Sequence, residues 1–231
     1  QSNPKHWLRV FFFVYFSKMN VKYSFIVPVY NRPNEIKELL ESFLVMQVSS
    51  TYEIVIVEDG STISSEEVIS EYASKLNILY LKKQNTGPGD SRNYGMQSAN
   101  GSFFLILDSD VVMPPHYLVA VDAYLDQNQV DCFGGPDAAE ENFSALQKAI
   151  NFTMTSFLTT GGIRGKEKSV KSYEPRSFNM GISKEAFENV GGYGNIHPGE
   201  DPDLTIRIWN KGYRTKLISE AFVYHKRRID W

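Results

Sequence analysis

Apolar residues in the first half of the chain come in short unbroken runs: "YSFIVPVY" (23–30), "YEIVIVED" (52–59), "ILYLKK" (78–83), "FFLILD" (103–108) and "VDCFGG" (130–135). A strand with one wet face alternates polar and apolar positions. Runs without alternation fit strands covered on both faces, as in a parallel sheet. Helical spacing lies between them. Ile36, Leu39, Leu40, Phe43 and Leu44 share one helical face, with Pro33 suited to the first turn. Ser64 and Glu67 have the spacing of a capping box, and Val68, Ile69, Tyr72 and Leu76 share a face of a helix over 64–76. Strand and helix thus alternate through the first 130 residues, which predicts a doubly wound α/β layer with a mostly parallel central sheet flanked by helices.

The second half is less regular. Leu146, Ile150, Met154 and Phe157 predict a helix around 143–158. It leads into a stretch over 159–178, rich in Gly, Lys and Ser and without a period, of the length expected for a lid or binding loop. Two further helices are predicted at about 183–190 and 202–211, ended by Gly191 and Gly212.

Composition narrows the class. With 231 residues, 42% of them hydrophobic, the chain can bury one full core. A net charge of −3 with scattered basic residues gives no nucleic-acid surface. Cys132 is the single cysteine, so no intramolecular disulfide forms, which suits a reducing compartment. The aromatic run in "WLRVFFFVYFSK" falls far short of the ~20 residues of a membrane span. It can be read as a clipped signal, as an interfacial anchor, or as an extension over residues 1–18 ahead of a start at Met19. We favour the extension, because "MNVKYSFIVPVYN" runs straight into a strand. The close at "YHKRRIDW" has neither cap nor polar tail, which leaves room for a further segment beyond it.

Candidate chemistry collects where the apolar runs end. In "FFLILDSDVVMPP", Asp108 and Asp110 lie one residue apart at the end of a strand, where open α/β sheets bind ligands. Two such carboxylates can grip one divalent ion, although the same residues also cap turns. In "VEDGS", Asp59 can accept hydrogen bonds from a base or ribose, and Gly60 permits a sharp turn. "NTGPGDSRNYG" leads into a helix whose start could face a phosphate, with Arg92 close by, yet it is neither a Walker loop nor a dinucleotide fingerprint. In "HPGEDPDL", Glu200 and Asp201 sit at a helix start. They are suited either to capping it or to acting as a general base toward a hydroxyl. His225 ends the strand-like "AFVYH" and becomes a ligand only if Asp110 holds a metal that wants a nitrogen.

Each signal is weak alone, but their order is specific. "FIVPVYNRPNEIKELLESF", "VEDGS", "NTGPGDSRNYGMQSANGSFFLILDSD", "FNMGISKEAFENVGGY" and "GEDPDLTIRIWNKGYR" together resemble a family 2 glycosyltransferase, over roughly residues 20–228. The resemblance implies a single Rossmann-like domain of GT-A fold over 19–231 that uses a nucleotide-sugar donor, a UDP-sugar first among them. It also implies that Pro28, Tyr30 and Arg32 line the nucleotide pocket, that Asp59 contacts uracil or ribose, and that Arg92 approaches the nucleotide. Asp108 would face ribose or metal, and Asp110 would bind Mg²⁺ or Mn²⁺. Asp201 would be the catalytic base, with Glu200 beside it, and His225 would reach the metal. Glu58 stands where the family usually has Asp, and "DSD" replaces the frequent "DAD" or "DDD". Neither change removes a needed oxygen.

The expected activity is therefore inverting, metal-dependent sugar transfer to a glycan or lipid-linked acceptor, in polysaccharide assembly. The expected location is cytoplasmic, with peripheral association at the inner membrane face. Two other functions compete: a GT-A-like binding module without chemistry, and a nucleotidyltransferase. The latter is disfavoured because "PVYNRPNE" stands where its Gly-rich basic loop would follow the first strand.

Overall fold

The unbroken runs become the parallel centre of an eight-stranded sheet. The computed structural model describes residues 9–10, 20–138, 173–196 and 198–225. Arg9–Val10 (β1) is a short edge piece, followed by Tyr23–Val29 (β2), Tyr52–Asp59 (β3), Ile78–Lys83 (β4) and Phe103–Leu107 (β5). The last four stand parallel in the order β4-β3-β2-β5, with β1 antiparallel to β4. The chain moves outward from β2 to β4, then returns to place β5 on the other side of β2. Such a reversal opens a crevice beyond the strand ends. Pairing of β2 with β5 stops at Ile26↔Ile106, whereas pairing with β3 continues to Val29↔Glu58. By Pro28 the strand has a free side, where a residue without an N–H is tolerated.

Burial on both faces explains the missing alternation. Phe25, Ile54, Ile56, Leu105 and Leu107 pack on one face with Leu39, Leu40 and Phe43 of α1 (Pro33–Val45). Ile26, Val55, Val57, Phe104 and Ile106 pack on the other with Met96 of α3 (Pro88–Ser98). Between these helices in sequence, α2 (Glu66–Tyr72) packs beside α1 through Ile69 and Tyr72. Each fully buried side chain of this kind contributes about 1.5–3 kcal/mol. Helix α3 lies against the sheet at Gly95, where a β-carbon would stand 2.7 Å from Ile26 Cγ2.

The rest of the sheet reverses direction. Val111–Val112 (β6) follows β5, and Tyr117–Gln127 (α4) leads to Cys132–Gly134 (β7) and Asp137–Ala138 (β8). Asn179–Ser183 (β9) is antiparallel to both β5 and β7, with Leu107↔Asn179 in register. Lys184–Val190 (α5) and Glu200–Asn210 (α6) precede Thr215–Leu217 (β10), parallel to β7, and Val223–His225 (β11). A second, three-stranded sheet runs β6-β11-β8.

Several expectations are refined. The capping box at Ser64 does not form: the helix begins at Glu66, Ser65 stands at its N-cap, and Ser64 Oγ accepts from Glu66 N at 3.2 Å. Helix α6 starts two residues earlier than predicted, after Gly199, so Glu200 and Asp201 belong to its first turn. Gly191 and Gly212 end their helices in left-handed conformation, as predicted. Helix α4 was not legible because Asp122 interrupts its apolar stripe. Asp122 is nonetheless buried, accepting from Lys22 Nζ (2.6 Å) and Tyr23 OH (2.7 Å). Strand β9 was hidden by its Gly181, which makes room for the Phe133 ring. The predicted helix at 143–158 and most of the 159–178 stretch lie outside the described residues.

Candidate active site

The strand ends at the β2/β5 reversal carry the acids. Strand β5 stops at Leu107, and Asp108 and Asp110 occupy the turn before β6. Pairing of β6 with β11 sets His225 opposite Val111, and so beside Asp110. One ligand atom from each of Asp108, Asp110 and His225 lies within 4.8 Å of the others. Asp110 Oδ1 accepts from His225 Nε2 at 3.2 Å, and Oδ2 accepts from Arg32 Nη1 at 2.6 Å. Burial pushes the Asp110 carboxyl up, but the hydrogen bonds and charges of His225 and Arg32 overcome it and bring the pKa down to about 2. The His225 ring stacks on Phe178 at 5.2 Å, and its Nδ1 is buried without a hydrogen-bond partner among the described residues. Two carboxylates and an imidazole at this spacing can hold a divalent metal ion. Arg32 supplies positive charge beside Asp110.

Arg32 links this cluster to the ends of β2 and β3. Tyr30 is half-exposed at 49% and Pro28 partly buried. Asn31 adopts a φ of +55° and accepts through Oδ1 from Thr62 N (2.8 Å) and Ile63 N (2.9 Å), tying the two loops together. Asp59 is turned inward. It accepts from Thr86 N and Gly87 N, both at 3.0 Å, and pairs with Lys83, whose side chain is fully buried. Asp59 therefore holds the 84–87 loop in place from below. Gly60, at φ +70°, leaves that loop room, since a β-carbon would meet Asn85 N at 2.5 Å. Glu58 is also buried and accepts from Tyr80 OH and Ser65 N, both at 2.8 Å.

Arg92 connects the two halves. It is buried on α3, donates from Nη2 to Asp108 Oδ1 at 3.0 Å, and places Nη1 3.9 Å from Glu200 Oε1. Its guanidinium lies 5.4 Å from the centre of the Tyr193 ring. Nε and Nη1 are buried without hydrogen-bond partners among the described residues. Across from it, Asp201 Oδ2 accepts from Ser177 N (3.1 Å) and Ser177 Oγ (3.3 Å), while Oδ1 is buried with no hydrogen-bond partner among the described residues. Burial raises the Asp201 pKa, and Arg92 and Ser177 offset only part of that rise. A carboxylate so placed is a stronger proton acceptor than an ordinary aspartate.

The structure thus brings together Arg32, Asp108, Asp110 and His225, and joins Arg92 to Asp108 and Glu200. Asp59 is part of an internal ion cluster with Lys83. Sequence reasoning missed Lys83, Asn31, Ser177 and Arg207. Only Lys83 carried a signal, as a charged residue closing an apolar strand. Arg207 holds α6 in place, donating to Val190 O (2.8 Å) and Gly192 O (2.7 Å).

Comparison with known proteins gives the family and the fold. Residues 24–191 match the profile of the family described as Glycosyl transferase family 2. The chain is 29% identical over 217 residues to the minor teichoic acid biosynthesis protein GgaB of Bacillus subtilis, covering 91% of this chain and 23% of that protein. It is 35% identical over 114 residues to the poly(ribitol-phosphate) beta-N-acetylglucosaminyltransferase TarS of Staphylococcus aureus, covering 48% of this chain and 20% of that protein. The chain therefore spans about a quarter or less of the length of these relatives. A crystal structure of TarS 1–349 with UDP-GlcNAc superposes with a TM-score of 0.70 at 23% identity, covering 91% of this chain and 60% of that one. A mannosyltransferase of Pyrobaculum calidifontis with GDP-Man and Mn²⁺ gives 0.67 at 17% identity, covering 90% and 57%. At these identities the two structures share their fold with this chain.

Proposed function

The chain belongs to glycosyl transferase family 2 and has the GT-A fold, and from that premise we propose that its site transfers a sugar from a UDP-sugar to a hydroxyl acceptor with inversion at the anomeric carbon. One observation carries the reading. Arg92 pairs with Asp108 of a cation-suited cluster (Asp108, Asp110, His225), approaches Glu200, and lies close enough to act electrostatically on Asp201, the neighbouring buried acid with a raised pKa. TarS in complex with UDP-GlcNAc, on the same fold, supports the choice of donor. The relation to GgaB and TarS supports a role in assembling a cell-wall glycan.

The chemistry follows from the residues. Asp201 Oδ1 takes the proton of the acceptor hydroxyl as its oxygen attacks the anomeric carbon. The bond from that carbon to the diphosphate breaks on the opposite face, and its electron pair leaves with the diphosphate. Arg92 and Arg32 place positive charge beside the departing group, where fixed charge lowers the barrier most. A divalent ion held by Asp108, Asp110 and His225 would supply further charge of the same sign. Pro28 and Tyr30 form the wall on which the nucleoside lies. Glu200 keeps Arg92 in the crevice.

No helix among the described residues is long and apolar enough to cross a membrane. We place the reaction on the cytoplasmic side, with a lipid-linked or glycan acceptor presented at the membrane face.

A nucleotide-sugar screen with Mn²⁺ tests the assignment, alongside Asp201→Asn. The wild type is expected to bind UDP and to turn over one donor. D201N should bind UDP equally but lose about 10²–10⁴-fold in turnover. A wild type that binds no nucleotide with Mn²⁺ overturns the reading. Equal turnover by the two proteins removes Asp201 as the base.

A further inference from the structure

Asp201 is held by a residue that also belongs to the metal-side architecture. Ser177 is 7% exposed and donates twice, from its backbone N and from Oγ, to the same oxygen, Asp201 Oδ2. Two donors on one oxygen fix the rotation of a carboxylate. The other oxygen, Oδ1, is then the only one left to receive a proton, and among the described residues nothing hydrogen-bonds it. A base anchored through neither oxygen would rotate, and one anchored through both would be saturated.

The residues around Ser177 form a rigid turn. Asn179 N donates to Arg176 O at 3.0 Å and closes it. Asn179 is itself fully buried and anchored on both ends of its amide. It donates to Ala221 O at 2.8 Å and accepts from Tyr117 OH at 2.7 Å. Between the two, the Phe178 ring lies nearly parallel to His225, at 20°. One short turn therefore contacts the base through Ser177, the histidine of the cation cluster through Phe178, and the segment leading into β11 through Asn179.

Building on the function proposed above, we propose that Ser177 is a positioning residue, which presents Asp201 Oδ1 to the acceptor hydroxyl, and that its turn sets the spacing between Asp201 and the Asp108–Asp110–His225 cluster. Proton transfer is sensitive to such placement, because a displacement of about 1 Å can cost roughly a hundredfold in rate. A merely structural serine would change the folded fraction and leave turnover per folded molecule alone.

Ser177→Ala and Ser177→Thr in the full chain separate these roles. S177A is expected to lower kcat with UDP-GlcNAc about ten- to a hundredfold while binding UDP with Mn²⁺ within twofold of wild type, which also shows that it is folded. S177T retains both donors and is expected to recover most of the loss. A crystal structure of S177A should show the Asp201 carboxylate rotated or in two orientations. Unchanged kcat in S177A, or an Asp201 carboxylate left in place in its structure, overturns this proposal. If the wild type itself turns over no sugar, or D201N matches it, the fault lies with the function proposed above; the carboxylate orientation in S177A still decides this one.

Discussion

Arg32 Nη1 stands 2.6 Å from Asp110 Oδ2, which joins the residue ahead of α1 to the turn after β5 across the point where the sheet reverses. The carboxylate that would hold a divalent ion is thus already shared with a protein cation. Competition between the two cations is the direct consequence.

Arg32→Gln is expected to tighten Mn²⁺ binding in the absence of nucleotide and to weaken UDP binding. A unit charge about 6 Å from a divalent ion costs roughly 1.4 kcal/mol even at the dielectric of water, or about tenfold in affinity. Calorimetric titration with Mn²⁺ alone, then with UDP, checks both directions. Equal Mn²⁺ affinity in the two proteins would show that Asp110 is not the shared ligand.

The raised pKa of Asp201 gives two linked pH effects. Transfer is expected to fall on the acid side with a midpoint above the ordinary 3.8 of an aspartate, because the base must be ionised. For stability the sign is opposite to that of a salt-bridged acid. The unfolded chain loses this proton first as pH rises, so ionisation destabilises the fold between the unfolded and the folded pKa and beyond. D201N should therefore be more stable than wild type near pH 7, with the difference vanishing below about pH 4. Thermal melts across that range test it. A variant less stable at neutral pH would mean that Arg92 and Ser177 fully compensate the burial.

Lys83 is completely buried with Asp59 beside it and Asp90 at 3.3 Å. Lys83→Met leaves Asp59 as an uncompensated buried charge and should cost about 3–5 kcal/mol. Adding Asp59→Asn should restore part of it. Urea denaturation of both variants measures this. UDP binding should weaken as the 84–87 loop loosens.

Gly95→Ala places the better helix former in the middle of α3, a gain of about 1 kcal/mol in an isolated helix. Here the new methyl meets Ile26 and Val57 at 2.7 and 3.1 Å. Overpacking of this kind costs about 1–3 kcal/mol, so a net loss of thermal stability is expected. It should be accompanied by weaker UDP binding, because Arg92 rides on the same helix. A higher melting temperature would show that α3 is free to shift.

The parallel strands were legible because burial on two faces leaves an unbroken apolar run, as at Phe25–Ile26–Val27. The same logic hides elements that depend on distant partners. Strand β9 reads as "NMGIS" and has no apolar run, since Asn179 serves Tyr117 and Ala221, and Gly181 serves Phe133. Asp108 and Asp110 were displayed by the end of an apolar run, whereas His225 was tied to them by the family resemblance, and the three lie together. Ser177 was not, because nothing local distinguishes a serine that bonds an acid 24 residues away. At Asp59 the sequence displayed the carboxylate but not the lysine beneath it, which comes from a different strand.

Strands β2 to β5 lie within one continuous stretch, whereas β9 joins β5 only after an excursion of 72 residues, from Leu107 to Asn179. Closing so wide a loop costs more chain entropy and slows assembly. The layer of β2 to β5 is therefore expected to acquire amide protection first during refolding, and β9 with the 176–179 turn last. Pulse-labelling hydrogen exchange would then show a refolding chain in which Asp108 and Asp110 are set on a protected sheet before Ser177 has fixed Asp201.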